Sequence, residues 1–299
     1  MVIQGQISKE NHILLTGATG FLGQYLYKYL SDDGYNVIAT SSRDLEGYKK
    51  LDITHNLIEL DIDQPIHTII HNAGLIKGSR KDLFLVNAVG TKKIIQLAKK
   101  LGVQRLVLIS SIDTIVDNDS VNSTSYAKSK KEAEEYVMQS ELQYCIIRPS
   151  VVFGPDIKNF GLLETAIKKL PLFPLPYGGK YIWQPVFVED LAREIVIAST
   201  TAKLSNQINL VGPEDIPFSE IVEILEKYLE VDKVKLNIPS WIINFISNIV
   251  GMISEDLKNN LFSSFYNKIL YDDNITRCPT SLSNYYSKKD LASLYVETL

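Results

Sequence analysis

Residues 13–23, Ile-Leu-Leu-Thr-Gly-Ala-Thr-Gly-Phe-Leu-Gly, constrain this chain more than any other stretch. An apolar strand runs directly into a turn with glycines at 17, 20 and 23. From Gln24 to Leu30 the apolar residues recur at helical spacing, so the pattern reads strand, glycine turn, helix. Such a junction suits an anion. The first N–H groups of a helix have no intrahelical acceptor and lie at the positive end of its dipole. Glycines permit the tight turn, the approach of a pyrophosphate to bare backbone and close packing of helix on strand. The spacing also fits a plain strand-to-helix turn, and the choice rests on the residues that follow.

Strand-like and helix-like segments alternate after this turn. Tyr35 to Thr40 is read as a second strand, ending in Thr40-Ser41-Ser42-Arg43 where a dinucleotide site places its ribose-reading residue. Pro65 to Asn72 holds a short buried strand, and Leu83 to Leu101 is periodic and helical with Gly90 tolerated inside it. Val103 to Ile109 is a strand that stops at Ser110-Ser111, Thr124 to Leu142 a helix with a Thr/Ser cap, and Tyr144 to Ile147 a strand ended by Arg148-Pro149. Alternation of this kind predicts right-handed βαβ units. The fold class is therefore α/β: a Rossmann-type doubly wound parallel sheet over residues 1–155, with 180–211 returning to it, and a smaller, mostly helical C-terminal substrate lobe over 156–299. In the lobe, Pro171, Pro174 and Pro176 with Gly178 and Gly179 predict an irregular loop. Pro185 to Val188 reads as a short strand before a helix over 189–200, and Asn206 to Val211 as another strand. Ser219 is expected to cap a helix through Leu229. An amphipathic helix follows from Ile238, and residues 255–299 read as helices joined by a loop around Cys278-Pro279.

Composition excludes some partners. A 299-residue chain that is 45% hydrophobic and carries a net charge of −4 argues against nucleic acid or an anionic membrane, while leaving room for a local basic pocket. Cys145 and Cys278 lie far apart without metal-ligand spacing, so both are expected reduced and no metal is expected. Met1 to Asn11 is polar, and Ile238 to Ile253 is too short and too interrupted by polar residues to span a bilayer. These features predict a cytoplasmic protein without stable membrane association, in which the Asn-x-Ser/Thr triplets at Asn118, Asn122 and Asn274 are chance matches.

Tyr126-Ala127-Lys128-Ser129-Lys130 opens the helix after the Ser110-Ser111 strand end. Tyr126 and Lys130, four residues apart, share a helix face. A phenol ordinarily titrates near pH ~10, and a neighbouring ammonium is expected to favour phenolate and bring it into acid–base range. A lone Tyr/Lys pair also describes an ordinary solvated face, which is the reading given to Glu132, Glu134 and Glu135 on the same helix. Ser110 is read as a strand-end packing residue and His71 as a packed, satisfied histidine.

Taken together, these residues resemble the extended branch of the short-chain dehydrogenase/reductase superfamily, the NAD-dependent epimerase/dehydratase family. The resemblance is carried by TGATGFLG at 16–23, Leu51-Asp52-Ile53-Thr54, IIHNAG at 69–74, Asn87 with Gly90-Thr91, LISS at 108–111, YAKSK at 126–130 with Glu134, RPSVVFGP at 148–155 and PVFVEDLA at 185–192. It implies that Gly17, Thr19, Gly20, Phe21, Leu22 and Gly23 hold the pyrophosphate turn, Asp52 and Ile53 the adenine, and Asn72, Ala73 and Gly74 the cofactor along the sheet, with Pro149 also at the cofactor. It further implies that Ser111 hydrogen-bonds the substrate oxygen, Tyr126 exchanges its proton, and Lys130 biases Tyr126 and binds the nicotinamide ribose, while hydride passes between nicotinamide C4 and a substrate carbon. Asn87 supports backbone in this picture, and a homodimer is implied.

Two departures from the family pattern carry information. After the second strand stand Ser41, Ser42 and Arg43 rather than an acidic residue, with Asp44 only later. Hydroxyls with an arginine accommodate a 2′-phosphate, so NADP(H) is favoured over NAD(H). The interval Ile112 to Ser125 is short, and Ile112-Asp113 stands where dehydratases of the family carry Asp-Glu, which disfavours dehydration. The expected activity is hydride transfer at a carbonyl or secondary alcohol by an NAD(P)-dependent oxidoreductase or epimerase, with a nucleotide-activated sugar as small-molecule substrate. In this picture the Pro171 to Gly179 loop, Tyr181, Trp183 and the PVFVEDLA segment form the substrate lobe. Two alternatives stand beside it: an NADPH-dependent reductase of a non-sugar carbonyl, steroid-like or thioester, encouraged by apolar residues near Leu172-Phe173 and in the Trp241 to Ile253 helix, and a non-catalytic cofactor-binding regulator.

Overall fold

The computed structural model describes residues 7–55, 60, 62–116, 124–155, 158–201, 206–253 and 275–287. The glycosylation-like triplets at Asn118, Asn122 and Asn274, and most of the stretch 255–299, lie outside the described residues.

In chain order the first elements are β1 (His12–Thr16), α1 (Phe21–Asp32), β2 (Asn36–Ser41), β3 (Lys49–Lys50), β4 (Ile66–His71), α2 (Arg80–Leu83), a π-helical turn (Phe84–Val89) and α3 (Gly90–Lys100). Then come β5 (Arg105–Ile109), α4 (Asp113–Val116), α5 (Ser125–Met138), β6 (Gln143–Pro149), β7 (Val152–Phe153), α6 (Lys158–Lys169) and β8 (Leu172–Pro176). They are followed by a 3₁₀ turn (Tyr177–Gly179), β9 (Ile182–Trp183), β10 (Val186–Phe187), α7 (Val188–Thr200), β11 (Gln207–Val211), β12 (Ile216–Pro217) and α8 (Phe218–Leu229). The described chain ends with β13 (Val234–Ile238), α9 (Ser240–Ile253), β14 (Ile275–Arg277) and α10 (Leu282–Ser287). The chain divides into two compact units: residues 1–149, 191–210 and 272–276, and residues 150–190, 211–271 and 277–299.

The first unit is built on a sheet of order β14-β11-β6-β5-β4-β1-β2-β3. Its pairings from β3 across to β11 are parallel. Strands of such a sheet are covered on both faces and read as unbroken apolar runs. Ile13, Leu14 and Leu15 of β1 and Leu106 and Val107 of β5 are fully buried accordingly. From β1 the chain winds outward through β2 and β3, then crosses back to β4 on the other side. That reversal opens a crevice at the carboxyl ends of β1 and β4, where open α/β sheets bind ligands. The glycine turn follows β1 and Asn72-Ala73-Gly74 follows β4, so both motifs reach this crevice.

The second unit has its own core, in which Phe153, Phe173, Tyr181, Trp183, Phe218 and Leu225 are buried together. The Tyr181 ring stacks on Phe218 with centroids 4.9 Å apart, and Trp183 meets the same ring edge-on at 5.2 Å. Tyr181 and Trp183, expected to help form a substrate lobe, are core residues of this unit. The irregular loop expected from Pro171 to Gly179 is instead mostly strand. β8 pairs in parallel with β13, placing Pro174 opposite Leu236 and Pro176 opposite Ile238. Residues two apart turn their N–H positions to the same edge, so Pro174 and Pro176 cost the ribbon nothing if that edge is the unpaired one. Two further expectations are corrected here. α8 begins at Phe218 with Pro217 at its N-cap, so Ser219 sits inside the first turn. The stretch 275–277, read as part of a helical tail, is strand β14, and the buried Cys278 follows it.

Candidate active site

The turn after β1 is held by contacts that tolerate only glycine. Gly17 has φ +66°, and a Cβ there would lie 2.7 Å from the Ala73 backbone. A Cβ at Gly23 would overlap the Gly17 carbonyl oxygen and approach Ala18 within 2.9 Å. Gly20 differs: its Cβ would meet only the Gly17 oxygen, at 3.2 Å. Gly20 is also the N-cap of α1 and offers no side-chain acceptor, which leaves the helix's first amides available to a ligand. Thr19, Phe21 and Leu22 belong to the same turn and helix start.

A chain of hydrogen bonds ties this turn to the end of β4. The Asn72 side-chain amide donates to the Gly17 carbonyl at 3.1 Å. The Thr91 hydroxyl gives its proton to the Asn87 carbonyl (2.5 Å), so toward His71 it can only accept, from Nε2–H at 3.1 Å. His71 Nδ1 must then accept from the Thr16 hydroxyl at 2.7 Å, and the Thr16 oxygen accepts the Ala73 N–H at 3.1 Å. One tautomer satisfies every group. Burial first, and the Lys130 charge second, push the His71 pKa down to about 3, so it is a neutral spacer as expected.

The helix expected over Leu83 to Leu101 runs unbroken through residues 80–100, with a π-helical turn at Phe84–Val89 in which Asn87 is buried. Asn87 accepts the Leu75 N–H at 2.8 Å and donates to the Leu75 carbonyl at 2.9 Å and to Ser129 Oγ at 3.0 Å. Ser129 passes its own proton to the Tyr126 carbonyl at 2.8 Å. Replacing Asn87 by Leu leaves the part-buried Leu75 N–H and carbonyl without their side-chain partner and takes from Ser129 Oγ the proton it accepts, although Ser129 still donates to the Tyr126 carbonyl. We expect a loss of about 2–3 kcal/mol, read as a lower melting temperature, with partial recovery in Asn87→Asp, which restores the acceptor alone.

Ser111, Tyr126 and Lys130 converge at the end of β5. Thr124 caps α5 by accepting the Ala127 N–H at 3.0 Å, which sets Tyr126 and Lys130 on the turns facing the strand. Tyr126 hydrogen-bonds Ser111. The Lys130 amine donates to the Ile109 carbonyl at 2.8 Å and lies where a Cβ at Gly74 would be only 3.0 Å away. The charge states correct the expectation that Lys130 draws Tyr126 toward phenolate. Burial, and then the Asp113 carboxylate, push the phenol pKa up, with the Ser111 hydrogen bond opposing them, so Tyr126 is held protonated. Lys130 is itself pulled down to about 8 by burial, against the opposing charge of Glu134.

The remaining expected cofactor residues lie in the same unit, at or beyond the carboxyl ends of β2, β3 and β6. Ser41 is buried, accepts the Arg43 N–H at 3.1 Å and passes its carbonyl to the Leu51 N–H at 2.8 Å, while Ser42 and Arg43 are exposed. Asp52 accepts from the Thr54 N–H (2.9 Å) and hydroxyl (2.7 Å), and Ile53 packs so closely on Gly90 that a Cβ there would lie 2.7 Å from it. The Pro149 carbonyl, at the end of β6, accepts the Ile112 N–H at 3.0 Å. Glu134 is the largest correction. It is not part of a solvated face but is buried and paired with Arg148 through an N–O distance of 2.7 Å. Its position was available from spacing, since Lys130, Ala133, Glu134 and Val137 form one apolar-facing stripe. Among the described residues no cluster suited to a metal ion occurs, and no helix is long and apolar enough to cross a membrane.

The chain is similar to known proteins in sequence and fold. The family model for the NAD dependent epimerase/dehydratase family matches residues 13–212. The chain is 28% identical over 281 residues to UDP-glucose 4-epimerase of Vibrio cholerae, covering 83% of this chain and 84% of that one. It is 29% identical to ceramide reductase of Caulobacter vibrioides, over 64% of this chain and 62% of the relative. Among solved structures, dTDP-4-dehydrorhamnose reductase from Bacillus anthracis in complex with NADP superposes with a TM-score of 0.67 at 19% identity, covering 97% of this chain and 100% of that chain. UDP-glucose 4-epimerase from Thermotoga maritima with UDP-glucose superposes at 0.63 and 19% identity, over 76% and 85%. With the glycine turn, the Ser111, Tyr126 and Lys130 cluster and a family match spanning well over half of its 299 residues, the chain belongs to the NAD dependent epimerase/dehydratase family.

Proposed function

We propose that this protein is an NAD(P)-dependent oxidoreductase or epimerase that transfers hydride at a carbonyl or secondary alcohol of a nucleotide-activated sugar. The observation that carries the chemistry is the convergence of Ser111, Tyr126 and Lys130 beside a turn whose Gly20 face is open. The residues present fit a nicotinamide dinucleotide. Free amides at the start of α1 suit a pyrophosphate, and Gly17, Thr19, Gly20, Phe21, Leu22 and Gly23 would hold it. Asp52 and Ile53 would take the adenine, Asn72, Ala73 and Gly74 would line the path along the sheet toward Lys130, and Pro149 would close it. When bound, the nicotinamide supplies the hydride donor or acceptor.

The protein's own groups do the rest. Ser111 orients the substrate oxygen by a hydrogen bond. Tyr126, kept protonated by burial and Asp113, gives its proton to that oxygen in the reductive direction and recovers it in the oxidative one. Lys130 is anchored on the Ile109 carbonyl beside Gly74, within reach of a ribose hydroxyl. The second unit is the proposed substrate lobe.

For the cofactor, NADP(H) is favoured. Arg43 is exposed at the end of β2, and Lys49 and Lys50 stand in register with Thr40 and Ser41, so cations surround the place where a 2′-phosphate would sit. Arg43→Ala is expected to weaken NADPH binding about tenfold, the worth of one charged hydrogen bond, and to leave NADH binding within about twofold. Equal losses for the two, measured by nicotinamide fluorescence, overturn the NADP preference.

The substrate reading is supported by a relative matched over most of both chains, a UDP-glucose 4-epimerase. A second reading, a reductase of an apolar non-sugar carbonyl, is supported by the ceramide reductase and by a bovine sterol-4-alpha-carboxylate 3-dehydrogenase, 27% identical over 79% of this chain. Melting-temperature shifts with UDP, GDP, dTDP and CDP separate them, since a ligand of the native state raises stability. A rise with one nucleotide supports the sugar substrate, and no rise with any of them supports the second reading. Nicotinamide that copurifies indicates an epimerase recycling its hydride, and an empty protein that consumes NADPH indicates a reductase.

A further inference from the structure

Glu134 lies one turn past Lys130 and two turns past Tyr126 on α5, and it is 3% exposed. A carboxylate so buried keeps its charge only if its oxygens are satisfied. Oε1 accepts from Ser110 Oγ (2.5 Å), Thr114 Oγ1 (3.0 Å) and Arg148 Nε (2.8 Å), and Oε2 accepts from Arg148 Nη2 (2.7 Å). Arg148, also buried, spends Nη1 on the Gln207 side chain at 3.0 Å.

These bonds converge on the strand end that carries Ser111. Three consecutive residues, Ile109, Ser110 and Ser111, are each gripped by a different side chain of α5: Lys130, Glu134 and Tyr126. Thr114 shares its single hydroxyl proton between the Ser111 carbonyl (2.9 Å) and Glu134 Oε1 (3.0 Å) and so adds α4 to the clamp, and Arg148 adds β6.

We propose that Glu134 is a positioning residue, with Arg148 as its fixed counter-charge, that sets Ser111 opposite Tyr126 and keeps a negative charge one helical turn from the Lys130 ammonium. The inference rests on the nicotinamide reading of the site. A purely mechanical brace needs only the hydrogen bonds. A carboxylate in this place also supports the charge of Lys130, which burial would otherwise lower further than about 8. Among the described residues, the charged and titratable groups around the cluster are Tyr126 and Glu134 on α5 itself, neutral His71 on β4, Asp113 on α4 and Arg148 on β6.

The test is NADPH affinity of the full chain, measured by nicotinamide fluorescence from pH 6.5 to 9, for the wild type and Glu134→Gln. Wild-type affinity is expected to fall as pH rises through about 8, where the Lys130 amine loses its proton. In Glu134→Gln the fall is expected to begin about one pH unit lower, so that affinity at pH 8 drops up to about tenfold relative to wild type while the two agree within about twofold at pH 6.5. If the single variant does not fold, Glu134→Gln/Arg148→Met leaves no stray buried charge and is expected to move the profile in the same direction. An unmoved midpoint, a flat wild-type profile, or a loss equal at every pH overturns the proposal. Failure of both variants to fold assigns the pair to the scaffold and overturns it too. A wild type that binds neither NADPH nor NADH overturns the nicotinamide reading itself.

Discussion

Tyr126→Phe is expected to lower turnover by about 10³-fold while NADPH binds within about threefold of its wild-type affinity. The substitution keeps the ring and removes only the hydroxyl. In the proposed mechanism that hydroxyl is the proton source: burial and Asp113 keep it protonated, and its hydrogen bond to Ser111 places it beside the group that would hold the substrate oxygen. The backbone around it should stay in place, because the Tyr126 carbonyl is held by Ser129 and the helix start by the Thr124 cap. The measurement is single-turnover loss of NADPH absorbance with the carbonyl substrate recovered from the nucleotide screen, alongside NADPH titration. A fall of less than tenfold in turnover removes Tyr126 from proton transfer. A parallel loss of NADPH affinity means that the hydroxyl serves the cofactor instead.

How far these roles could be seen without coordinates depends on how local their causes are. The glycine turn and the parallel sheet were legible because each rests on short-range rules of strand followed by helix, whereas the grouping of Ser111 with Tyr126 and Lys130 came from the family resemblance, since i to i+4 spacing also describes a solvated face. Glu134 was not legible by its charge alone. Its partner Arg148 stands 14 residues away on strand β6, and only their pairing makes burial of the carboxylate affordable. The same holds for the phenol of Tyr126. Spacing shows the cation at Lys130 but not the Ile109 carbonyl that occupies it, nor the burial and the Asp113 charge that outweigh it. The strand through Pro174 and Pro176 escaped local reading for a different reason. Proline in a run argues against a strand in general, yet Pro174 and Pro176 stand in β8, a strand of a two-stranded sheet with β13, where each strand has an edge that needs no donor. The π-helical turn likewise keeps the apolar period of Leu83 to Leu101 nearly intact, so periodicity alone cannot place it.

The glycines of the turn after β1 divide into two kinds, and substitution should separate them. Gly23→Ala is expected to cost about 3 kcal/mol, a fall of roughly 6–12 °C in melting temperature, and to abolish NADPH binding. The added methyl would overlap the Gly17 carbonyl oxygen, and both groups belong to backbone that cannot swing aside. Relief requires α1 to lift from the turn, which exposes Leu26 and Leu30 of its buried face and withdraws the amides at its start. Gly20→Ala is expected to behave differently. Its methyl meets only one atom, at 3.2 Å, so melting should change by no more than about 2 °C, within the small cost of a surface substitution. Yet the methyl would stand on the open side of the turn, where a pyrophosphate must approach the backbone, and NADPH affinity should fall at least about tenfold. Thermal melts paired with NADPH titrations of the two variants read both effects. Normal NADPH binding by Gly20→Ala would place the phosphates elsewhere and leave the turn a structural junction alone. Normal melting of Gly23→Ala would show that α1 can shift at little cost, and would detach the helix start from the anion site.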